Sequence, residues 1–226
     1  MRIAVLGTGV VGQTLAARFD QLGHDVMLGT RSPAETLART QPDSMGNPGI
    51  GMWAAAHEHV RVVTFQEAAA AAELVVNATN GEASLAVLAA AGADSLTGKV
   101  VLDVANPLDF AHGFPPTLSV ANTDSLGEQV QRAFPDARVV KSLNTMTAHV
   151  MAHPEQVAGG DHSVFVSGDD PDAKRSVTDL LTEMGHTDVI DLGDLSTARG
   201  TEMYLPLWLR LLGAVGTPMF NVKVVR

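Results

Sequence analysis

The sequence predicts an α/β fold in which a doubly wound, mostly parallel sheet is covered by helices on both sides. Two observations support this prediction. Short apolar runs recur along the 226 residues, and alanine-rich or periodic segments lie between most of them. The runs are apolar on both faces, as expected for strands that lie between two helical layers. Strand and helix therefore alternate, which is typical of a parallel sheet.

Each predicted element follows from this alternation. The strands are Ile3–Leu6, Val26–Leu28, Val60–Thr64, Leu74–Asn77, Val100–Val104, Arg138–Leu143, Ser163–Val166 and Val189–Leu192. The helices are Val10–Leu22, Pro33–Thr40, Phe65–Ala72, Ala83–Ala91, Ser125–Phe134 and Pro171–Met184. We expect loops over Gln41–Gly51, which is rich in Gly and Pro, and over Leu108–Asn122, which contains Pro115 and Pro116. Ser196–Arg226 should be a helix disturbed near Pro206, followed by an irregular end.

The charge and the composition disfavour several classes of function. With 15 Lys and Arg against 25 Asp and Glu, the net charge is −10, which opposes binding to nucleic acid or to an anionic membrane. The absence of cysteine excludes disulfides, thiolate metal sites and a cysteine nucleophile. The chain shows no signal-peptide pattern and no apolar stretch long enough for a bilayer. We therefore expect a cytoplasmic protein whose partner is a small molecule.

A glycine-rich loop follows the first predicted strand and precedes a helix. Its residues are Gly7, Thr8, Gly9, Val10, Val11 and Gly12, which form the pattern G-x-G-x-x-G. The first glycine permits a tight turn, the second lets a diphosphate approach the backbone, and the third lets helix and strand pack closely. The helix N-terminus then offers N–H groups and a partial positive charge to the phosphates. The loop predicts dinucleotide binding, and the alternative is a tight turn without a ligand.

The end of the second strand indicates which dinucleotide is bound. A protein specific for NAD usually has Asp or Glu here to hold the ribose 2′-hydroxyl. This chain instead has Thr30, Arg31 and Ser32, a planar cation between two hydroxyls. That set suits a 2′-phosphate, so we predict NADP(H). The alternative is that Arg31 is a solvated surface charge.

Small polar residues follow three further strands, and the carboxyl ends of parallel strands form the ligand edge of such sheets. The predicted cofactor-binding residues at these ends are Ala78, Thr79, Asn80, Ala105, Asn106 and Pro107, and the candidates on the acceptor side are Asn106, Lys141, Asn144 and Thr145. Ordinary turn chemistry is the alternative at each end, and a structural or surface role is the alternative for Lys141. We expect no metal site, since His149 and His153 are followed by Pro154, form no H-E-x-x-H motif and have no evident third ligand.

Several segments together resemble the coenzyme F420-dependent NADP oxidoreductase family. They are Met1–Gly12, Gly29–Ser32, Val139–Thr145 and Asp191–Arg199 with Glu202, so the likeness covers almost the whole chain. The resemblance implies a Rossmann-type domain, often dimeric, that transfers a hydride between NADPH and the deazaflavin F420. The family also includes relatives of the STEAP ferric-reductase domain. Asn144 is a departure, because some F420 reductases have histidine there, and Lys141–Thr145 resembles the STEAP-like branch.

The resemblance and the residues lead to one functional hypothesis with two alternatives. We expect one domain, with a dinucleotide-binding core at 1–145 and a C-terminal portion at 146–226 that shapes the acceptor site and a homodimer interface. Asn106, Asn144 and Thr145 would orient the reactants, the loop Leu108–Asn122 would close over the acceptor, and Lys141 and Arg199 would supply positive charge. The alternatives are an NADPH-dependent flavin or ferric reductase, and a non-catalytic NADPH sensor that uses the apolar segment Leu205–Phe220.

Overall fold

The computed structural model describes residues 1–42 and 46–226. The strands are β1 (Arg2–Leu6), β2 (Asp25–Thr30), β3 (Arg61–Thr64), β4 (Leu74–Asn77), β5 (Val100–Asp103), β6 (Leu108–Asp109), β7 (Thr117–Leu118), β8 (Arg138–Ser142), β9 (Ser163–Gly168) and β10 (Asp188–Asp191). The α-helices are α1 (Val10–Gln21), α2 (Pro33–Leu37), α3 (Ile50–Ala56), α4 (Phe65–Ala71), α5 (Ser84–Ala91), α6 (Ala93–Leu96), α7 (Leu126–Ala133), α8 (Ala148–Ala152), α9 (Pro171–Met184), α10 (Ala198–Met203) and α11 (Leu205–Val215). Short 3-10 helices lie at Gly81–Ala83, Pro154–Gln156, Ala158–Gly160 and Leu195–Thr197.

The main sheet has 8 strands in the order β10-β9-β8-β5-β4-β1-β2-β3. The strands from β3 to β8 in this order are all parallel, and the chain reverses its direction of winding between β1 and β4. In open α/β sheets, ligands bind beyond the carboxyl ends of the strands at such a reversal. Strand β9 is antiparallel to β8, and β10 is parallel to β9. The predicted doubly wound, mostly parallel sheet is confirmed.

Two apolar layers cover the sheet, as the double-sided apolar runs predict. Within β1, Ile3 and Val5 pack into one layer, whereas Ala4 and Leu6 pack into the other. Helices α1, α8 and α9 contribute to the first layer, and α4, α5 and α7 contribute to the second. Because helices cover both faces, the edges and the strand ends are the parts of the described sheet that a ligand can reach.

The structure corrects three of the predicted boundaries. The stretch Gln41–Gly51 ends within a helix, because α3 begins at Ile50, and Ile50 and Trp53 lie one turn apart and pack into the core. Positions 43–45 of that stretch lie outside the described residues. The loop Leu108–Asn122 contains a small antiparallel hairpin of β6 and β7. Helix α2 ends at Leu37, earlier than the predicted Thr40.

The C-terminal portion at 146–226 adds β9, β10 and the four helices α8 to α11, of which α10 and α11 are consecutive. The predicted helix break near Pro206 lies at Tyr204, between α10 and α11, and Pro206 occupies the first turn of α11. A proline is tolerated there because first-turn N–H groups have no partner within the helix. The α11 side chains of Leu207 and Val215 are exposed. Among the described residues, no helix has the length and apolar character that a bilayer span requires.

Candidate functional site

The glycine-rich loop has the geometry that a bound diphosphate requires. Gly7 has a φ of +119°, and a Cβ there would lie 2.5 Å from the Ala78 carbonyl oxygen. A Cβ on Gly12 would lie 2.0 Å from the Gly7 carbonyl oxygen, so the start of α1 packs directly on the turn. A Cβ on Gly9 would meet no protein atom within 4 Å. Gly9 is also the N-cap of α1 and makes no side-chain cap, so the loop fits a phosphate that approaches its backbone.

A cavity of about 440 Å³ lies at the carboxyl ends of β4 and β5, next to this loop. It is lined by Val10, Val11, Asn47, Ala78, Thr79, Asn80, Gly81, Val104, Ala105, Asn106, Leu108, Phe110, Met146, Thr147, Ala148 and Met151. The structure thus brings most of the predicted cofactor-binding residues of both strand ends together with the start of α1. Among the described residues, none that lines the cavity is titratable. Such a cavity can position apolar rings, and its described lining offers no general acid or base.

The side chains of Asn106 and Asn144 hold each other beside this cavity. Asn106 Nδ2 donates to the Asn144 carbonyl oxygen at 2.8 Å, and Asn144 Nδ2 donates to Asn106 Oδ1 at 3.0 Å. Asn144 and Thr145 are almost completely buried and do not line the cavity, so of the acceptor-side candidates only Asn106 does. Leu143, just before Asn144, has a φ of +62°, which is strained for a residue with a side chain. The two hydrogen bonds between Asn106 and Asn144 join the segment after β8 to the segment after β5.

Lys141 lies inside the protein in a charged triad that the sequence does not predict. Its Nζ is 2.8 Å from Asp103 Oδ2 and 2.8 Å from Glu202 Oε1, and it donates to the Ala105 carbonyl oxygen at 2.5 Å. The side chain is 0% exposed. Burial disfavours the charged ammonium, but the two carboxylates outweigh that effect and raise the pKa of Lys141 above its ordinary value. Lys141 is therefore a buried cation that holds the end of β5 through its contacts with Asp103 and the Ala105 carbonyl oxygen.

The triad is linked to the cavity and to helix α7. Asn77 Nδ2 donates to Asp103 Oδ1 at 2.8 Å, and Thr79, which lines the cavity, donates to Asn77 Oδ1 at 2.7 Å. At the other side, Glu202 accepts from the backbone N–H groups of Leu126 and Gly127, at the positive end of α7. A charged residue that ends an apolar strand, such as Asp103, is the one sequence signal that could have indicated this network.

Arg199, the other cation that we expected near the acceptor, is also paired with a carboxylate. Arg199 makes a bidentate contact with Glu128, through Nε at 2.8 Å and Nη2 at 2.5 Å. Lys141 and Arg199 are thus both neutralised by carboxylates, and an exposed basic patch built from them is not present in the structure.

The end of β2 presents an exposed guanidinium. The Arg31 side chain is exposed and has no hydrogen bond or ion pair with the residues that the structure describes. Ser32 is half-buried and is the N-cap of α2. Thr30 is buried, and its hydroxyl lies 2.7 Å from the hydroxyl of Thr36. Of the three predicted side chains, Arg31 is thus the one most open to a 2′-phosphate.

The fold and the site define the class of protein. A dinucleotide cradle that opens into a cavity whose described lining has no titratable side chain suits redox chemistry that a nicotinamide carries out. Relatives similar over nearly their whole length are named NADP reductases, so the chain is an NADP-dependent oxidoreductase. The family model for coenzyme F420-dependent NADP oxidoreductases matches residues 2–107. The crystal structure of a candidate F420-dependent NADP reductase from Arthrobacter sp. FB24 is 58% identical and has a TM-score of 0.95, and each chain covers 100% of the other. The protein belongs to the coenzyme F420-dependent NADP oxidoreductase family, which confirms the resemblance.

Two curated relatives extend the comparison. The F420-dependent NADP reductase of Methanocaldococcus jannaschii is 28% identical over 215 residues, which are 93% of this chain and 92% of that protein. Metalloreductase STEAP3 of Rattus norvegicus is 30% identical over 215 residues, 92% of this chain, but this chain spans only 38% of that protein. A reductive aminase from Aspergillus terreus has a TM-score of 0.63 at 19% identity and shares the fold alone.

Proposed function

We propose that this protein transfers a hydride between NADPH and a deazaflavin of the coenzyme F420 type. The observation that carries the proposal is the continuity between the glycine-rich cradle and the cavity beside it, which Val10 and Val11 of α1 line together with the ends of β4 and β5. The 28% identity with the Methanocaldococcus reductase over nearly both chains supports F420 as the acceptor.

The residues that would hold NADPH follow from the geometry. The loop Gly7–Gly12 would hold the diphosphate, Arg31 would hold the 2′-phosphate, and Thr79 and Asn106 would offer hydrogen bonds at the nicotinamide end. When bound, NADPH supplies a hydride from its nicotinamide ring, so the protein needs to supply orientation and a dry environment.

The acceptor side of the cavity is apolar and partly formed by the hairpin of β6 and β7. Leu108 and Phe110 line it from the hairpin, and Met146 and Met151 line it from the opposite side. The Phe110 side chain lines the cavity and is 52% exposed, so it is accessible to a ligand there. A flat conjugated acceptor would cover Phe110 and exclude water from the nicotinamide.

The direct test is to mix the purified protein with NADPH and F420 under anaerobic conditions and to follow the deazaflavin absorbance. We expect NADPH-dependent loss of the absorbance, with a higher KM for NADPH and a nearly unchanged kcat in Arg31→Ala, because a 2′-phosphate lies far from the reacting ring. Absence of turnover at high enzyme concentration, with NADPH binding intact, would refute F420 as the acceptor.

A second candidate function is the reduction of a free flavin or of ferric ion. The 30% identity with rat STEAP3 favours it, although this chain corresponds to only 38% of that protein. The same assay with FMN, FAD or a ferric chelate in place of F420 separates the two. Faster turnover with a flavin or iron than with F420 would favour this second candidate.

A further inference from the structure

A second arginine reaches the glycine-rich loop from outside the motif. Arg39 lies two residues beyond the end of α2, and its Nη2 donates to Thr8 Oγ1 at 3.1 Å and to Thr36 Oγ1 at 3.3 Å. Thr8 is the residue between the first two glycines of the loop. Although Arg39 is exposed, its guanidinium thus contacts the glycine-rich loop instead of extending into water.

The contacts of Arg39 connect the two places where the adenosine half of a dinucleotide is held. Thr36, which Arg39 contacts, lies 2.7 Å from the hydroxyl of Thr30 at the end of β2. A continuous line of polar contacts therefore runs from the end of β2 through Thr36 and Arg39 to Thr8. In folds of this type the adenosine ribose lies between the end of the second strand and the first turn.

The backbone of Arg39 is held in place by α3. Gly51 N donates to the Arg39 carbonyl oxygen at 2.9 Å. A Cβ on Gly49 would lie 2.7 Å from that same oxygen, so only glycine permits this close approach. Arg39, Thr8, Gly9 and Gln13 line a common cavity of about 270 Å³ beside the loop. The side chain is therefore directed at an open space beside the cradle.

We propose that Arg39 is a specificity-determining residue that binds the 2′-phosphate of NADP(H) together with Arg31. This inference rests on the proposed binding of NADPH and adds a residue that no motif assigns. A 2′-phosphate entering a protein of net charge −10 needs local positive charge, and a guanidinium can give a phosphate two parallel hydrogen bonds. Arg39 would form one side of the phosphate site and Arg31 the other.

The test compares the dissociation constants of NADPH and NADH, measured by calorimetry without any acceptor. In Arg39→Met we expect NADPH to bind roughly 10- to 100-fold more weakly, since a charge-assisted hydrogen bond is lost, while NADH changes by less than about threefold. Arg39→Lys should fall between wild type and Arg39→Met, because it keeps the charge and loses the planar fork. The control is Arg61→Met, an exposed arginine at the start of β3 that pairs with Asp25 and should change neither constant.

Each outcome decides between explanations. Equal weakening of NADPH and NADH in Arg39→Met would show that Arg39 merely holds the glycine loop or touches the diphosphate, and would overturn the proposal. No change in either constant would overturn it as well. Failure of the wild type to bind NADPH would refute the proposed function itself. Binding without turnover would leave the role of Arg39 measurable, because these constants need no acceptor.

Discussion

Replacement of Lys141 by methionine should destabilise the protein strongly, because it removes the single cation from a buried triad. Lys141, Asp103 and Glu202 have side chains that are 0%, 0% and 1% exposed. Methionine matches the length of lysine closely but cannot compensate either carboxylate or donate to the Ala105 carbonyl oxygen. Two negative groups would then remain in a region that water does not reach.

The expected magnitude follows from the burial. Breaking a buried ion pair by removing one partner costs about 3–5 kcal/mol, a large part of the roughly 5–15 kcal/mol that stabilises a typical domain. With an unfolding entropy of about 2.1 cal/mol/K per residue over 226 residues, the loss corresponds to a decrease of roughly 6–10 °C in Tm. The same loss should lower the urea midpoint without changing the m-value.

The matched control is Lys174→Met on α9. Lys174 Nζ contacts Asp191 Oδ1 at 2.9 Å and the Gly193 carbonyl oxygen at 2.9 Å, so it has the same kinds of partner as Lys141. Its partner Asp191 is 56% exposed, and pairs of this kind are worth about 0–1 kcal/mol. Urea unfolding of both variants would refute the reasoning if Lys141→Met lost no more stability than Lys174→Met.

Three further outcomes follow from buried positions. Burial lowers the pKa of His186 to about 4, so as the pH falls below about 6.5 this histidine is protonated in the unfolded chain before it is protonated in the folded protein. Between pH 7 and pH 5 the free energy of unfolding of the wild type should therefore decrease by about 2 kcal/mol more than that of His186→Gln. Equal losses in urea titrations at the two pH values would contradict this. Gly12→Ala should abolish NADPH binding in calorimetry, because its Cβ would lie 2.0 Å from the Gly7 carbonyl oxygen; unchanged affinity would exclude the cradle as the binding site. Gly81→Ala should weaken NADPH binding at least about tenfold by displacing Asn106, whose carbonyl oxygen would lie 2.1 Å from the new Cβ, and an unaltered dissociation constant would show that Asn106 does not contact the cofactor.

The strands could be predicted because a strand that is buried on both faces appears in the sequence as a short, continuous apolar run. Every predicted strand corresponds to a strand of the main sheet, and the glycine-rich turn has the expected close contacts. The direction of β9 could not be predicted, since an apolar run reads the same in a parallel or an antiparallel pair. Helix α3 was missed because Ile50 and Trp53 stand in a stretch whose composition otherwise indicates a loop.

The site could be predicted only where a local motif carries it. The loop Gly7–Gly12 and the residues after β4 and β5 are contiguous segments, so the parallel topology alone brings them together. Lys141 and Asp103 are 38 positions apart, and no spacing rule connects them. Arg39 is missed for the same reason, because its contact with Thr8 depends on how the chain turns after α2.

The distribution of charge explains why phosphate recognition here must be short-ranged. The net charge of −10 repels an anionic cofactor over distances of about 10 Å at 0.1 M salt, and the inner cation Lys141 is already neutralised by two carboxylates. The groups left to meet phosphates would be the N-terminus of α1 and the exposed guanidinium groups of Arg31 and Arg39, all of which would act by direct hydrogen bonds. Removal of one such group should therefore change affinity strongly, whereas removal of an exposed charge far from the strand ends should not.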